Sequence, residues 1–231
     1  MTEPLVITGI AAPLPINNLD TDQIMPKQFL LGIDKSGLAR GLLYDLRFDA
    51  DGRVRERFVL NRPEYRGAKI LLGGSNFGCG SSREHAVWGL QQAGFEAVIA
   101  PSYGEIFYFN ASNNRLPLVV LPAREIEAIA AEIGSGSGSD KQLTIDIESE
   151  VVLTPSGRRH AFSLPARQKQ MLVQGLDMVG MTLRQEEAID AFEAHHWAAQ
   201  PWCRIGLPAR QQARMIGRPG ADRPGGLTSQ S

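Results

Sequence analysis

Thiols are scarce in this chain of 231 residues: its two cysteines, Cys79 and Cys203, lie far apart. That spacing fits neither a disulfide framework nor a cysteine metal motif, and it cannot supply three thiolates to a metal cluster. Long apolar runs are missing too, since no stretch approaches the roughly 18 residues that a membrane-spanning helix needs. The opening MTEPLVITGIAAPLP has neither the basic segment nor the continuous apolar core of a secretory signal, so a cytoplasmic protein away from membranes is expected. Nor is there an excess of charge of one sign. Twenty-four basic residues against 25 acidic ones leave a net charge of −1, so no overall field favours nucleic acid, and any anionic ligand must be held by local groups. Of four histidines, His195 and His196 are neighbours, which points them to different sides of a helix and makes a poor metal pair.

What is present is alternation. Apolar runs bounded by Gly, Pro or Asn at Leu5 to Ile10, Ile70 to Leu72, Ala97 to Ala100 and Leu116 to Leu121 read as strands. Helical spacing appears over Glu84 to Ala93 and Glu125 to Ile133. From residue 70 to 133 the order is strand, helix, strand, helix, strand, helix, which reads as α/β with a largely parallel sheet. The segment GSGSGS at 134–139 reads as a flexible turn. Beyond it, Leu143, Ile145 and Ile147 alternate with polar residues, and Val151 to Leu153 followed by Pro155-Ser156-Gly157 reads as an antiparallel hairpin. A closing helix is expected over Thr182 to His196, with Thr182 and Gln185 in capping register. One domain is expected over 1–204, followed by an Arg-, Pro- and Gly-rich tail over 205–231.

The richest stretch is Gly73-Gly74-Ser75-Asn76-Phe77-Gly78-Cys79-Gly80-Ser81-Ser82-Arg83-Glu84-His85, between a buried strand and an amphipathic helix. Four glycines allow unusual backbone angles and close approach of a ligand. Ser81 and Glu84 stand in S-x-x-E register, which predicts a helix starting at Ser81 with its free N–H groups facing the turn. Taken alone, that register is equally the mark of a capped helix with no ligand. Arg83 is poorly placed for the helix dipole and well placed to fork onto a carboxylate. A P-loop fails because Gly78 is followed by Cys79-Gly80, and a dinucleotide fingerprint fails because Arg83 stands where a small residue is required.

The string NFGCGSSREHA resembles the active-site signature of 3-isopropylmalate dehydratase small subunits, relatives of the fourth domain of aconitases. Similarity runs from about Leu5 to Phe192 and includes NLDTDQIMPKQFL, FVLNRPEYRGAKILL, APSYGEIFYFNASNNRLP and GLDMVGMTL. The resemblance implies the swivelling β/β/α fold of the aconitase superfamily, with a C-terminal hairpin and helix. It also implies a large partner subunit that carries a [4Fe–4S] cluster, with no metal held by this chain, and a small dicarboxylate as substrate. Ser81 matches the family's catalytic base, Asp22 its active-site aspartate, and Ser82 and Arg83 its carboxylate-binding residues. The reaction implied is the interconversion of 2- and 3-isopropylmalate in leucine synthesis.

The loop after the DTD motif is expected to choose the substrate, with Leu31, Ile33 and Leu38 as apolar surface for a branched side chain. Here it reads Asp34 to Gly41, DKSGLARG, instead of the family's Arg-Thr-Gly-Phe-Gly-like string, which leaves 2-methylmalate, citraconate or dimethylmalate as alternatives. A noncatalytic binding module is the reading from another class, disfavoured by the near-neutral charge. Cys79 reads as a small packing residue and His85 as a helix-surface or hydrogen-bonded residue. The Asp20-Thr21-Asp22 carboxylates read either as a hard-cation site or as a helix cap. Tyr103, Phe107, Tyr108 and Phe109 read as core or interface.

Overall fold

Nine residues from Val6 to Leu14 form β1, and they pair differently along their length. Val6–Ile10 run antiparallel to β5 (Gln142–Asp146), while Ala11–Leu14 run parallel to β2 (Ile70–Gly73). The computed structural model describes residues 5–30, 36–135 and 138–203. Its other elements are α1 (Thr21–Ile24), α2 (Tyr44–Arg47), α3 (Glu84–Gln92), β3 (Ala97–Ala100), α4 (Glu105–Asn113), β4 (Leu118–Val120), α5 (Ala123–Ser135), β6 (Val151–Leu153), β7 (Arg159–Ala161), α6 (Ala166–Gln174), α7 (Met178–Leu183) and α8 (Glu186–Ala199). The strands make one sheet in the order β4-β3-β2-β1-β5-β6-β7. Its β4-β3-β2-β1 half is parallel and its β1-β5-β6-β7 half antiparallel. The α/β class with a largely parallel sheet over residues 70 to 133 is therefore as expected.

Every residue of β2 and β3 is buried, and the pleat sends neighbours to opposite faces. Leu71, Val98 and Ala100 join Leu90 of α3 and Phe107 of α4 in one core, while Ile70, Leu72, Ala97 and Ile99 join Ile126, Ile129 and Ile133 of α5 in the other. The helical spacing of α3 and α5 is thus spent on opposite sides of one sheet. Contacts divide the chain into two units, residues 1–182 and 183–231. In the second unit, α8 is followed by a 3-10 turn at Pro201–Cys203, and Phe192 stacks on His196 with ring centroids 5.6 Å apart.

Three local expectations change. The GSGSGS segment is not all turn: α5 continues to Ser135 and a 3-10 turn starts at Gly138. One reason is Lys141, which is 5% exposed; its Nζ donates to Ile133 O at 3.0 Å near the end of α5, where a cation is favoured. The closing helix is split into α7 and α8, and Thr182 does not cap it, because its Oγ1 donates back to Met178 O at 3.0 Å. A third antiparallel strand, β7, went unread because Arg159-His160-Ala161 carries no apolar alternation; its His160 Nδ1 instead lies 2.7 Å from Glu125 Oε2. The tail read from residue 205 lies outside the described residues. Among the described residues no helix is long and apolar enough to cross a membrane.

The expected aromatic cluster divides by direction. Phe107 is buried against Phe77, 5.5 Å between centroids, whereas Phe109 is exposed. The Tyr103 hydroxyl shares its one proton between Val98 O and Val119 O, each 2.8 Å away, and so ties β3 to β4. Burial pushes the Tyr103 phenol well above its ordinary range, so folding favours the neutral form. That contribution is intact below about pH 10 and is lost only as pH rises through the raised value. Tyr103→Phe should lower stability by about 1–2 kcal/mol, read as a drop in the urea midpoint, because two strand carbonyls lose their donor.

Candidate active site

Leu14 and Gly73 are the last paired residues of β1 and β2, but the two chains leave the sheet still side by side. Asn18 N donates to Ser75 O at 2.8 Å, Gly78 N to Leu19 O at 2.7 Å and Thr21 N to Cys79 O at 2.9 Å. Asn17 and Asn18 add side-chain bonds to Ser75 N and Asn76 Nδ2, each 2.8 Å. The glycine turn is closely packed from its other side. Gly78 has φ +73°, and a Cβ there would lie 2.3 Å from the Phe107 ring; a Cβ on Gly104 would lie 2.6 Å from Gly78 O. No side chain fits at either contact, so the first turn of α4 seats directly on Gly78–Cys79.

Asp20 caps α1. Its Oδ1 accepts from Gln23 N at 2.7 Å, and Gln23 Oε1 accepts from Asp20 N at 3.2 Å, closing a capping box. The capping alternative for the DTD run is therefore right for Asp20. Asp22, one residue into the helix, points instead to the glycine turn. Ser81 Oγ donates to Asp22 Oδ1 at 3.1 Å, and Arg83 Nη1 pairs ionically with the same oxygen. That contact falls off the line of the guanidinium N–H bonds, so it is an ion pair and not an aligned hydrogen bond. The Arg83 side chain is 18% exposed and that of Asp22 45%, while Ser81 and Ser82 are exposed.

Thr21 completes the group. Its Oγ1 donates to Ser81 O at 2.9 Å and stands 3.1 Å from Ser81 Oγ. Two hydroxyl protons and two acceptors permit one full assignment: Thr21 to the Ser81 carbonyl, and Ser81 to the Asp22 carboxylate. An exposed serine hydroxyl aimed at a carboxylate, with a guanidinium beside it, is suited to moving a proton next to a bound anion.

The expected helix start at Ser81 is corrected here. α3 begins at Glu84, Arg83 occupies its cap position in extended conformation, and no side chain caps it. Both halves of the S-x-x-E pair are bound elsewhere: the Ser81 hydroxyl by Asp22, and Glu84 Oε1 by Asn114 Nδ2 at 2.5 Å. The free N–H groups at the start of α3 consequently lie after Arg83, not before it.

Two family models match this chain, one described as the aconitase C-terminal domain over residues 1–123 and one as the C-terminal domain of the 3-isopropylmalate dehydratase small subunit, over residues 178–203. The chain is 57% identical over 202 residues to 3-isopropylmalate dehydratase small subunit 1 of Chromobacterium violaceum, which covers 87% of this chain and 94% of that one. It belongs to the 3-isopropylmalate dehydratase small-subunit family. The family's small subunit from Phenylobacterium zucineum is 48% identical over 192 residues, 83% of this chain and 93% of that one. A crystal structure of a 3-isopropylmalate dehydratase from Methanocaldococcus jannaschii, 28% identical, superposes with a TM-score of 0.58 over 82% of this chain and 99% of the other. The aconitase-type α/β fold expected from the resemblance is the one found, and the family is one of hydro-lyases.

Of the residues singled out from the sequence, Asp22, Ser81 and Arg83 meet in this site, with Ser82 exposed at its mouth. Leu38 stands apart from them: it is buried in the core, and its N–H donates to Gln92 Oε1 at 2.9 Å at the end of α3. Leu31 and Ile33 lie outside the described residues. Cys79 and Cys203 are free thiols, and among the described residues no three His, Cys, Asp or Glu side chains converge to hold a metal ion. His85 lies beside Trp88, with ring centroids 4.8 Å apart and the planes tilted by 60°. Thr21 was not singled out; the capping register of Asp20 with Gln23 was the signal that Thr21 and Asp22 are spared from capping. Gly104→Ala should destabilise the chain by about 1–3 kcal/mol in urea unfolding, because the added methyl meets backbone that cannot yield.

Proposed function

We propose that this chain is the proton-transferring, carboxylate-binding half of a hydro-lyase that interconverts 2-isopropylmalate and 3-isopropylmalate in leucine synthesis. The observation that carries the reading is the exposed Ser81 hydroxyl bonded to Asp22 beside the Arg83 guanidinium. The other half is a large subunit, and the pair works in the cytoplasm. This chain's donors, hydroxyls, a carboxylate and a guanidinium, do not suit an iron–sulfur cluster, which needs several thiolates. The [4Fe–4S] cluster that the family resemblance implies is assigned to the large subunit, where it would supply Lewis-acid chemistry.

On this chain, the Ser81 proton already points to Asp22 Oδ1, the route by which the serine oxygen becomes a base. That oxygen then takes the proton from the carbon next to a substrate carboxylate, while the hydroxyl on the neighbouring carbon leaves as water with the proton passed to Asp22; the reverse steps, with the two carbons exchanged, add water back. Ser82 and the remaining Arg83 donors hold the carboxylate and stabilise its developing charge. Choice of the alkyl group is assigned, by the family resemblance, to Leu31 and Ile33 of the loop after the DTD run; Leu38, buried in the core, is not part of that surface. A pocket telling isopropyl from methyl rests on about 1–3 kcal/mol, and the DKSGLARG run makes that choice worth measuring directly.

Co-expression with the large subunit, anaerobic reconstitution and absorbance of the unsaturated dicarboxylate test the reading. The complex should turn over 2-isopropylmalate faster than 2-methylmalate; the reverse order reassigns the substrate. Ser81→Ala should lower kcat by about 10²–10⁴-fold with an unchanged urea midpoint, and a variant that keeps its turnover would remove Ser81 from the chemistry. Arg83→Lys, which keeps the charge and loses the fork, should raise KM for the dicarboxylate about tenfold or more.

A further inference from the structure

Ser81, Ser82 and Arg83 form a short extended run whose two ends need anchoring if the base and the guanidinium are to keep their places. The upstream end is held by Thr21 Oγ1 on the Ser81 carbonyl. At the downstream end Arg83 receives no side-chain cap, and the first turn of α3 is tied down through Glu84, whose Oε1 accepts from Asn114 Nδ2. Asn114 does more than meet Glu84. Its Oδ1 accepts from Trp88 Nε1 at 2.8 Å, its carbonyl accepts from Gln91 Nε2 at 2.7 Å, and its Nδ2 also reaches Asn110 O at 2.9 Å. Glu84, Trp88 and Gln91 are spaced i, i+4 and i+7, one face of α3.

Asn114 is the C-cap of α4, and the other end of α4 seats on Gly78–Cys79. The frame is therefore closed: glycine turn to α4, α4 through Asn114 to α3, and α3 back to Arg83. The Glu84 carboxylate is also the anion next to Arg83 in sequence. It is bonded to the Asn114 amide, while the guanidinium pairs with Asp22.

We infer that Asn114 and Glu84 are positioning residues for the substrate-binding guanidinium of Arg83. The inference rests on the proposed reaction. It requires a hydrogen-bond acceptor at position 84 and a donor amide at 114, and it gives neither residue contact with the substrate.

The test uses the reconstituted two-subunit complex with 2-isopropylmalate. Asn114→Ala should lower kcat/KM by about ten- to hundredfold, mostly through KM, as expected when a carboxylate clamp is misplaced. Glu84→Gln keeps an acceptor oxygen and should stay within about threefold of the parent. In an Arg83→Lys background, Asn114→Ala should cost about twofold or less, since a residue that acts through Arg83 has little left to lose there. Should Asn114→Ala fail to assemble, Glu84→Ala cuts the same bond from α3 and should give the same loss and the same non-additivity. Full additivity with Arg83→Lys would overturn the inference by reducing the network to fold support. Unchanged kinetics in Glu84→Ala would overturn it too, as would a Glu84→Gln variant as impaired as Glu84→Ala, which would make the charge itself the working feature. A parent complex with no turnover of any 2-alkylmalate defeats the proposed reaction before any variant is compared.

Discussion

The parallel pairing of β1 with β2 does not end with the strands, and the site depends on its continuation. Two connections that would ordinarily part over the surface run on together for several residues, exchanging backbone bonds from Asn18 to Thr21 on one side and from Ser75 to Cys79 on the other. Each such bond is worth only about 1 kcal/mol net, yet leaving any of these inward-facing groups unpaired would cost more. Register is thus carried from the sheet into the loops. Asp20 meets Cys79 as a parallel bridge, and one and two residues further on Thr21 and Asp22 meet Ser81. A slip of one residue between the loops would exchange the side chains that face each other.

That continuation explains why polar groups with a ready local use are found doing something else. Ser81 and Glu84 have the spacing of a capping box, worth about 1 kcal/mol to a helix end. In the fold, Asp22 and Asn114 claim them from other elements. Asp20 and Gln23, which have no such competitor, make the box that their spacing allows. The helix that loses its cap therefore starts three residues late, and those three residues are Ser81, Ser82 and Arg83. An uncapped helix start is costly only if nothing else restrains it, and here α4 does so at both of its ends.

A half-site of this kind has an electrostatic logic of its own. The Arg83 charge is only partly exposed and has a carboxylate partner, as a charge in such a place requires. Yet the serines beside it remain open to solvent. The chain folds with its ionic pair already satisfied, so the dicarboxylate of the proposed reaction would add to that pair without having to create it. Under the proposed function, preorganisation of this sort would lower what must be ordered when an anion binds at the turn.

Much of the architecture was legible because it is written in apolar periodicity. The buried runs of β2 and β3, the amphipathic α3 and α5 and the alternation of β5 each demand one kind of structure wherever they lie. The NFGCGSSREHA string and the DTD run likewise announced Asp22, Ser81 and Arg83, and the resemblance they carry agrees with the family found. Short polar strands such as β7, the extension of α5 into GSGSGS and the true start of α3 could not be read, because each is decided by a partner outside its own element: Glu125 for His160, Lys141 for the α5 end, Asn114 for Glu84. By itself the sequence determined which segments must be buried and which residue types stand ready for chemistry. Only the tertiary structure decided which of two available partners each polar group takes, since hydrogen-bonding choices of about 1 kcal/mol are settled by what packing brings within about 3 Å, not by neighbours along the chain.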